Sequence, residues 1–318
     1  MDRDAPVAVV GATSQVGAAI VRALVRDGHN AVRSLPGDGP DPMDTAALDA
    51  FFARAHPAYV VVVSIRSGGI LANEQWPADL MTANLRADTH VIEAAHRHRV
   101  RKLLYLASSC AYPRQCRQPM RVEDLMTGPL EPTSEAYALA KLAGMALCRA
   151  FRRQYGDDFI AAIPPDAFGP EDDFSHDGAH VVAALISRLH EARERGAPRA
   201  TVWGTGRARR QFMFVDDVAD ACLFVMRRYS AEAPINLGGG AIVSIREVAE
   251  LIREVVGYPG ALEFDASMPD GMPEKTLDCA PLRALGWAPA TDLRAGLAAT
   301  YSWFRTRASA PAGIGGCG

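Results

Sequence analysis

The stretch PVAVVGATSQVGAAIVRALVRDGH, Pro6 to His29, decides the fold class. Pro6 to Val10 is a short apolar run with β-branched residues and reads as a strand. GATSQVG, Gly11 to Gly17, interrupts it with glycine at both ends. Ala18 to Val25 then has helical spacing and stops near Gly28. A glycine turn between a strand and a helix lets the backbone approach a pyrophosphate, and the helix N-terminus stabilises its charge. Ser14 stands where a further glycine is usual. An ordinary βα turn would read alike, so the weight falls on the rest of the chain.

The alternation repeats over residues 48–64, 84–109 and 134–165, each a helix and then a strand. Tyr59 to Val63 is apolar on both faces. Continuous apolar strands between helices predict a parallel sheet covered on both sides. The expected fold class is therefore α/β, a doubly wound parallel (Rossmann) sheet over residues 1–165, with ligands beyond the strand carboxyl ends. Past residue 165 the pattern loosens. GPEDDFSHDGAH is loop-like, Val181 to Arg195 is helical, and residues 201–229 read as strand, turn, strand, helix. A last helix ends near Arg307. This predicts a smaller α/β substrate lobe over 166–307, with segments returning to the core, and a disordered tail over 308–318.

Composition narrows the function. The 318 residues are 49% hydrophobic, ample for one large domain or two lobes. A net charge of −3 without a basic block suggests neither nucleic acid nor an acidic membrane surface as partner. No apolar run reaches the ~18 residues needed to span a bilayer, and the start has no signal-peptide pattern. The six scattered cysteines read as free thiols of a cytoplasmic protein, and no cluster has the spacing of a metal site.

YALAK supplies the second motif. Tyr137 and Lys141 are four residues apart on a predicted helix and share a face. A free phenol titrates near pH ~10, and a neighbouring cation lowers that value. The pair can then move a proton at a carbonyl or alcohol oxygen. Ser108, at a strand end upstream, can bond the same oxygen. At the end of the second predicted strand, NAVRSLPGDG carries Arg33, and an arginine there accommodates a 2′-phosphate, which favours NADP(H) over NAD. The candidate cofactor contacts are Gly11, Ser14, Gln15, Val16, Gly17, Arg33, Tyr137 and Lys141.

With these parts in order, the chain resembles the extended short-chain dehydrogenase/reductases, and within them the GDP-L-fucose synthases. The stretches SGGILAN, KLLYLASSCAYP, LEPTSEAYALAKLAG, FGPEDDF, VWGTG with RRQFMFVDD, FDASMPDGMPEK and LGWAP carry the likeness from about residue 6 to 307. The resemblance implies a bifunctional 3,5-epimerase and NADPH-dependent 4-ketoreductase on a GDP-4-keto-6-deoxyhexose. It implies Ser108, Tyr137 and Lys141 as the reductase triad, and Cys110 with His180 as the epimerisation pair. It also implies Arg188, Trp203, Arg210 and Lys275 as contacts to the GDP-sugar, and a homodimer through helices near 85–98 and 136–153. Strand alternation would put Ser108 and Cys110 on one side.

The chain departs from the family pattern at particular places. PPDAFGP puts Pro165 and Asp166 where Thr-Asn is usual, which adds a carboxylate near the expected anionic ligand. VVVVSIRSGG puts Val63, Ser64 and Ile65 at positions of small alanines, and Arg66 at a lysine. Three other readings stand beside the main one: an epimerase without net reduction, a 4-ketoreductase on another nucleotide sugar, and a non-catalytic binding protein on this scaffold.

Overall fold

A computed structural model describes residues 1–175 and 178–308, without the side chain of Ala308. The tail expected beyond residue 308, with Cys317, lies outside the described residues.

The first half alternates as the sequence pattern predicts. β1 (Val7–Val10), α1 (Gln15–Arg26), β2 (Val32–Leu35), α2 (Thr45–Ala55), β3 (Tyr59–Val62), α3 (Ile70–Gln75), α4 (Pro77–Arg97), β4 (Lys102–Leu106), α5 (Glu135–Tyr155) and β5 (Phe159–Ile163) come in that order. Then come β6 (Asp166–Phe168), α6 (Val181–Glu194), β7 (Arg199–Trp203), β8 (Arg209–Phe214), α7 (Val215–Arg228), β9 (Ile235–Asn236), β10 (Ala241–Ser244) and α8 (Ile245–Val256). β11 (Ala261–Asp265), β12 (Glu274–Lys275), α9 (Ala280–Ala284) and α10 (Leu293–Ala308) complete the order.

The main sheet runs β2-β1-β3-β4-β5-β9, with every neighbouring pair parallel. Alternation divides each strand between two cores. Ala8, Val10, Val60, Val62, Leu103 and Tyr105 pack under α2, α4 and α5, while Val7, Val9, Val61, Leu104 and Ile160 pack under α1 and α7. The inner strands β1, β3 and β5 are therefore apolar throughout because they are covered on both sides, whereas β2 at the sheet edge carries the exposed Arg33. The fold class is the doubly wound α/β architecture expected from the sequence.

β5 ends at Ile163, and after Pro164 and Pro165 the chain joins a second sheet as β6. There β8 takes β10 as an antiparallel neighbour, and β6 and β12 both pair with it in parallel. β7 and β11 form a separate parallel pair. A third core, with Leu185, Leu189, Phe212, Val248, Ile252 and Tyr301, holds α6, α8 and α10 against these strands. The short strands β6, β11 and β12 were not legible as strands in the sequence, because their pairing is set by β7 and β8.

Gly144 fixes how α5 lies on the sheet. A Cβ there would meet the Tyr105 ring 2.2 Å from Cζ. Alanine in an exposed helix interior favours helix by about 1 kcal/mol over glycine, but overpacking a buried site costs about 1–3 kcal/mol. Gly144→Ala is expected to lower stability by up to roughly 2 kcal/mol in denaturant unfolding. A stabilised variant would show that α5 does not rest on Tyr105.

Candidate active site

The turn after β1 is shaped by backbone proximity. Gly11 has φ +76°, and a Cβ on it would lie 2.7 Å from the Val63 carbonyl oxygen. A Cβ on Gly17 would lie 2.1 Å from the Gly11 oxygen. Ser14 is unstrained at φ −75° and ψ 158°, and its hydroxyl accepts from Gly17 N at 3.2 Å and donates to Gly11 O at 2.7 Å. The serine thus caps α1, which starts at Gln15, three residues before the reading from periodicity. Gln15 donates to Gly169 O at 3.0 Å, tying the turn to the loop after β6, while Val16 packs against the core. Arg33 lies exposed on β2, which pairs with β1. A glycine cradle at a helix N-terminus with an exposed guanidinium on the next strand fits a dinucleotide bearing a 2′-phosphate.

The second cluster lies at the ends of β3 and β4. Tyr137 of α5 is hydrogen-bonded through its phenol oxygen to Ser64 Oγ at 2.8 Å. Ser64 is therefore a partner of the phenol. Burial pushes the Tyr137 phenol well up, against the opposing effect of the Ser64 and Ser108 hydroxyls. This corrects the expectation that Lys141 lowers that pKa. Lys141 is fully buried and ion-paired with Asp88 of α4 at 3.3 Å, with its ammonium 4.4 Å from the Tyr105 ring centre. Tyr105 donates to the same Asp88 oxygen at 2.6 Å. Burial pulls the Lys141 pKa down and Asp88 offsets part of that.

β4 ends at Leu106, and Ser109–Ala111 form a 3-10 turn. Ser108 and Cys110 are thus related by that turn, in which Ser108 Oγ accepts from Cys110 N at 3.2 Å, and not by strand alternation. Lys275 Nζ lies 3.9 Å from Cys110 Sγ and 2.6 Å from Asp166 Oδ1. Arg210 Nε lies 3.7 Å from the other Asp166 oxygen, and Arg210 also donates to Asp270 O at 3.1 Å. The second sheet explains this convergence: Lys275 of β12 is in register with Arg210 of β8, and Asp166 of β6 with Phe212. The carboxylate that departs from the family pattern is held between two cations.

His180 is the residue just before α6, its side chain 43% exposed, with Nδ1 3.1 Å from the buried Asp172 carboxylate. Burial pulls its pKa down, but Asp172 and then Asp166 outweigh this and leave it raised. Gly69 places this segment, since a Cβ there would sit 2.4 Å from Ala179 O. Asn73 holds the glycine loop by donating to Gly68 O and Gly69 O, and Asn84 donates to Arg66 O at 2.8 Å. Arg188 and Trp203 form a separate pair, the guanidinium 5.0 Å from the ring centre, with Arg188 also donating to Thr201 O.

Asp88, Asp172, Asn73 and Asn84 escaped the sequence reading. Each is a polar residue in a helical or loop segment whose burial only the tertiary structure reveals.

Comparison with known proteins fixes the family. Residues 7–238 match the model of the NAD dependent epimerase/dehydratase family. GDP-L-fucose synthase 1 of Arabidopsis thaliana is 44% identical over 303 residues, covering 95% of this chain and 94% of that protein. The chain belongs to the GDP-L-fucose synthase family. A GDP-L-fucose synthetase from Naegleria fowleri bound to NADP superposes with a TM-score of 0.88 at 26% identity, covering 98% of this chain and 95% of that one. A GDP-6-OMe-4-keto-L-xylo-heptose reductase from C. jejuni superposes with a TM-score of 0.90 at 26% identity, covering 96% and 99%. The synthase family resemblance read from SSCAYP and DGMPEK is thereby borne out.

Asp88→Asn leaves the buried Lys141 without its counter-charge. It is expected to cost about 3–5 kcal/mol of stability, read by denaturant unfolding. A loss below about 1 kcal/mol, the range of exposed pairs, would show that Lys141 does not depend on Asp88.

Proposed function

We propose that this chain is a bifunctional 3,5-epimerase and NADPH-dependent 4-ketoreductase acting on a GDP-4-keto-6-deoxyhexose, with GDP-L-fucose or a close relative as product. The observation that carries the reading is the meeting of the Cys110 thiol with the Ser108–Tyr137 site, under a lysine and an arginine from the second sheet. A plain reductase needs no thiol there.

A C4 ketone acidifies the protons at C3 and C5, because either carbanion is an enolate. Cys110 takes a proton as base, and His180 returns one to the other face as acid. Each inversion leaves a thiol and a neutral imidazole, which reset through solvent before the next. Gly11–Gly17 and Arg33 would hold NADPH, which when bound would supply the hydride for C4. Tyr137 then donates its proton to the C4 oxygen, while Ser108 holds that oxygen. The raised phenol pKa suits this: the group enters the step protonated, and its acidity is needed only as the alkoxide develops. Lys141 acts from beneath, its charge answered by Asp88. Arg188 and Arg210 pair with the diphosphate, for which a guanidinium fork is suited, and Trp203 offers its exposed ring to the nucleotide end.

In this reading residues 1–165 hold the cofactor and 166–307 mainly the sugar nucleotide. Two copies meet through α4 and α5, which lie side by side on one face of the sheet. Among the described residues no helix is long and apolar enough to cross a membrane, and Cys110, Cys116, Cys148, Cys222 and Cys279 are free thiols. Free thiols support a cytoplasmic location.

Two variants separate the steps. With GDP-4-keto-6-deoxymannose in deuterated water, Cys110→Ser is expected to lose deuterium incorporation at C3 and C5 by roughly 10²-fold or more, and Tyr137→Phe to lose NADPH oxidation by a similar factor. Intact exchange in Cys110→Ser would remove the thiol from the mechanism. Arg33→Ala is expected to raise KM for NADPH by roughly 10–100-fold, the worth of one charge-assisted hydrogen bond, and to leave KM for NADH unchanged. Equal effects on both cofactors would deny Arg33 the 2′-phosphate.

A further inference from the structure

We infer that Ser64 is a positioning residue of the reduction step: its hydroxyl sets the Tyr137 phenol beside the dinucleotide turn and donates to the phenolate oxygen as Tyr137 gives its proton to the C4 oxygen. The inference rests on the assignment of Tyr137 as proton donor made above. It deepens that assignment by naming a group that acts through the phenol, at a position the sequence marks only as a departure from small alanines.

Ser64 stands between two parts of the site. β3 lies between β1 and β4 in the sheet, and Ser64 follows it by two residues. On the β1 side, Val63 N donates to Val10 O at 2.9 Å, and a Cβ on Gly11 would lie 2.9 Å from the Ser64 carbonyl oxygen. Towards α5, Ser64 Oγ and the Tyr137 phenol oxygen share a hydrogen bond of 2.8 Å. The backbone is fixed beyond the serine as well, since Ile65 packs on the core and Asn84 donates to Arg66 O at 2.8 Å. Ser64 is buried, and the phenol is its hydrogen-bond partner among the described residues. A hydroxyl on a backbone held from both sides is aimed in advance and needs no reorganisation during the reaction.

The bond changes character as the proton moves. A neutral phenol can donate to Ser64 or accept from it, whereas a phenolate oxygen can only accept. As hydride reaches C4, the Tyr137 O–H bond breaks, its proton joins the C4 oxygen, and the electron pair stays on the phenol oxygen. Ser64 then donates to that anion, in a charge-assisted bond about twice as strong as the neutral one. A bond that strengthens along the reaction lowers the barrier instead of merely tightening the complex. A proton from solvent later restores the phenol. The surroundings leave this task to hydroxyls. Burial, Cys110 from the turn after β4 and Asp88 from α4 all disfavour the phenolate, while the Ser64 and Ser108 hydroxyls favour it. Lys141, one turn along α5, has its charge answered by Asp88 at 3.3 Å. Ser108 Oγ accepts from Cys110 N at 3.2 Å and, in the reading above, holds the substrate oxygen. Among the described residues, Ser64 is the donor left to the phenol oxygen.

The test uses the full-length enzyme with GDP-4-keto-6-deoxymannose and NADPH. Deuterium incorporation at C3 and C5 reads epimerisation, and NADPH oxidation after the sugar has fully exchanged reads reduction. Ser64→Ala removes the hydroxyl and adds nothing, so the fold is expected to survive, as denaturant unfolding will check. In Ser64→Ala the rate of NADPH oxidation at saturation is expected to fall roughly tenfold. KM for NADPH and for the sugar nucleotide, and deuterium incorporation, should stay within about twofold of the parent enzyme. On a Tyr137→Phe background the same change should lower oxidation by less than about twofold, because its route to the reaction is gone. A Ser64→Ala enzyme with full rate, or one in which only a KM rises, overturns the inference. So does a further loss of about tenfold on the Tyr137→Phe background, which would place Ser64 outside the phenol's task. Failure of the underlying assignment looks different: Tyr137→Phe itself would keep oxidising NADPH. If Tyr137→Phe loses oxidation while Ser64→Ala does not, the inference about Ser64 alone has failed.

Discussion

A lysine with no exposed surface must be answered by an anion, and Lys141 imposes that constraint on three elements at once. Asp88 reaches it from α4, and Tyr105 reaches the same carboxylate from β4. α5 can approach β4 closely enough only because Gly144 carries no side chain. The register of α5 against the sheet is fixed in this way, and with it the place of Tyr137, one helical turn before the lysine. Isolated burial of such a charge costs several kcal/mol, so the three contacts act as a unit. What looks in sequence like a proton-transfer dyad is also the joint that holds α4, α5 and β4 together.

The main sheet was legible because its strands announce themselves twice. Val7–Val10, Tyr59–Val62 and Lys102–Leu106 are almost wholly apolar, and helices separate them along the chain. Two-sided burial leaves that mark in any sequence. β6 and β12 leave none. Three and two residues long, they pair with β8 only because the chain is led there by Pro164–Pro165 and by the loop before Lys275. They nonetheless carry Asp166 and Lys275, which pair with each other, and Lys275 reaches Cys110. The candidate site was thus legible as a list of residues through motif spacing for Tyr137 and Lys141 and through family resemblance for the rest, while its wiring was not. Asp88 and Asp172 have the composition of solvated helix and loop residues, and only packing turns them into partners of Lys141 and His180.

The departures from the family pattern share a physical logic. Ser14 does not obstruct the dinucleotide turn, because its backbone is extended and its hydroxyl caps α1. Ser64 stands where a methyl group is usual and turns its hydroxyl to the Tyr137 phenol. Ile65 packs onto the core beneath α2, α4 and α5. In each case the altered side chain finds a partner already in place, so the backbone keeps its course.

Asp166 is the departure with the largest electrostatic consequence. A lone carboxylate where an anionic sugar nucleotide docks would oppose binding, since like charges at close range are costly. Here it sits between Lys275 and Arg210, so the trio remains net cationic. Arg210 is held on its other side by Asp270 O, which leaves its guanidinium fixed in the cleft. Lys275 has less freedom: one side of its ammonium is taken by the carboxylate and the other faces sulfur. An asparagine would leave that ammonium without a counter-charge and free to follow the ligand. The aspartate instead ties it to the protein, so the cation is fixed beside Cys110 by β6 and β12 before any ligand arrives.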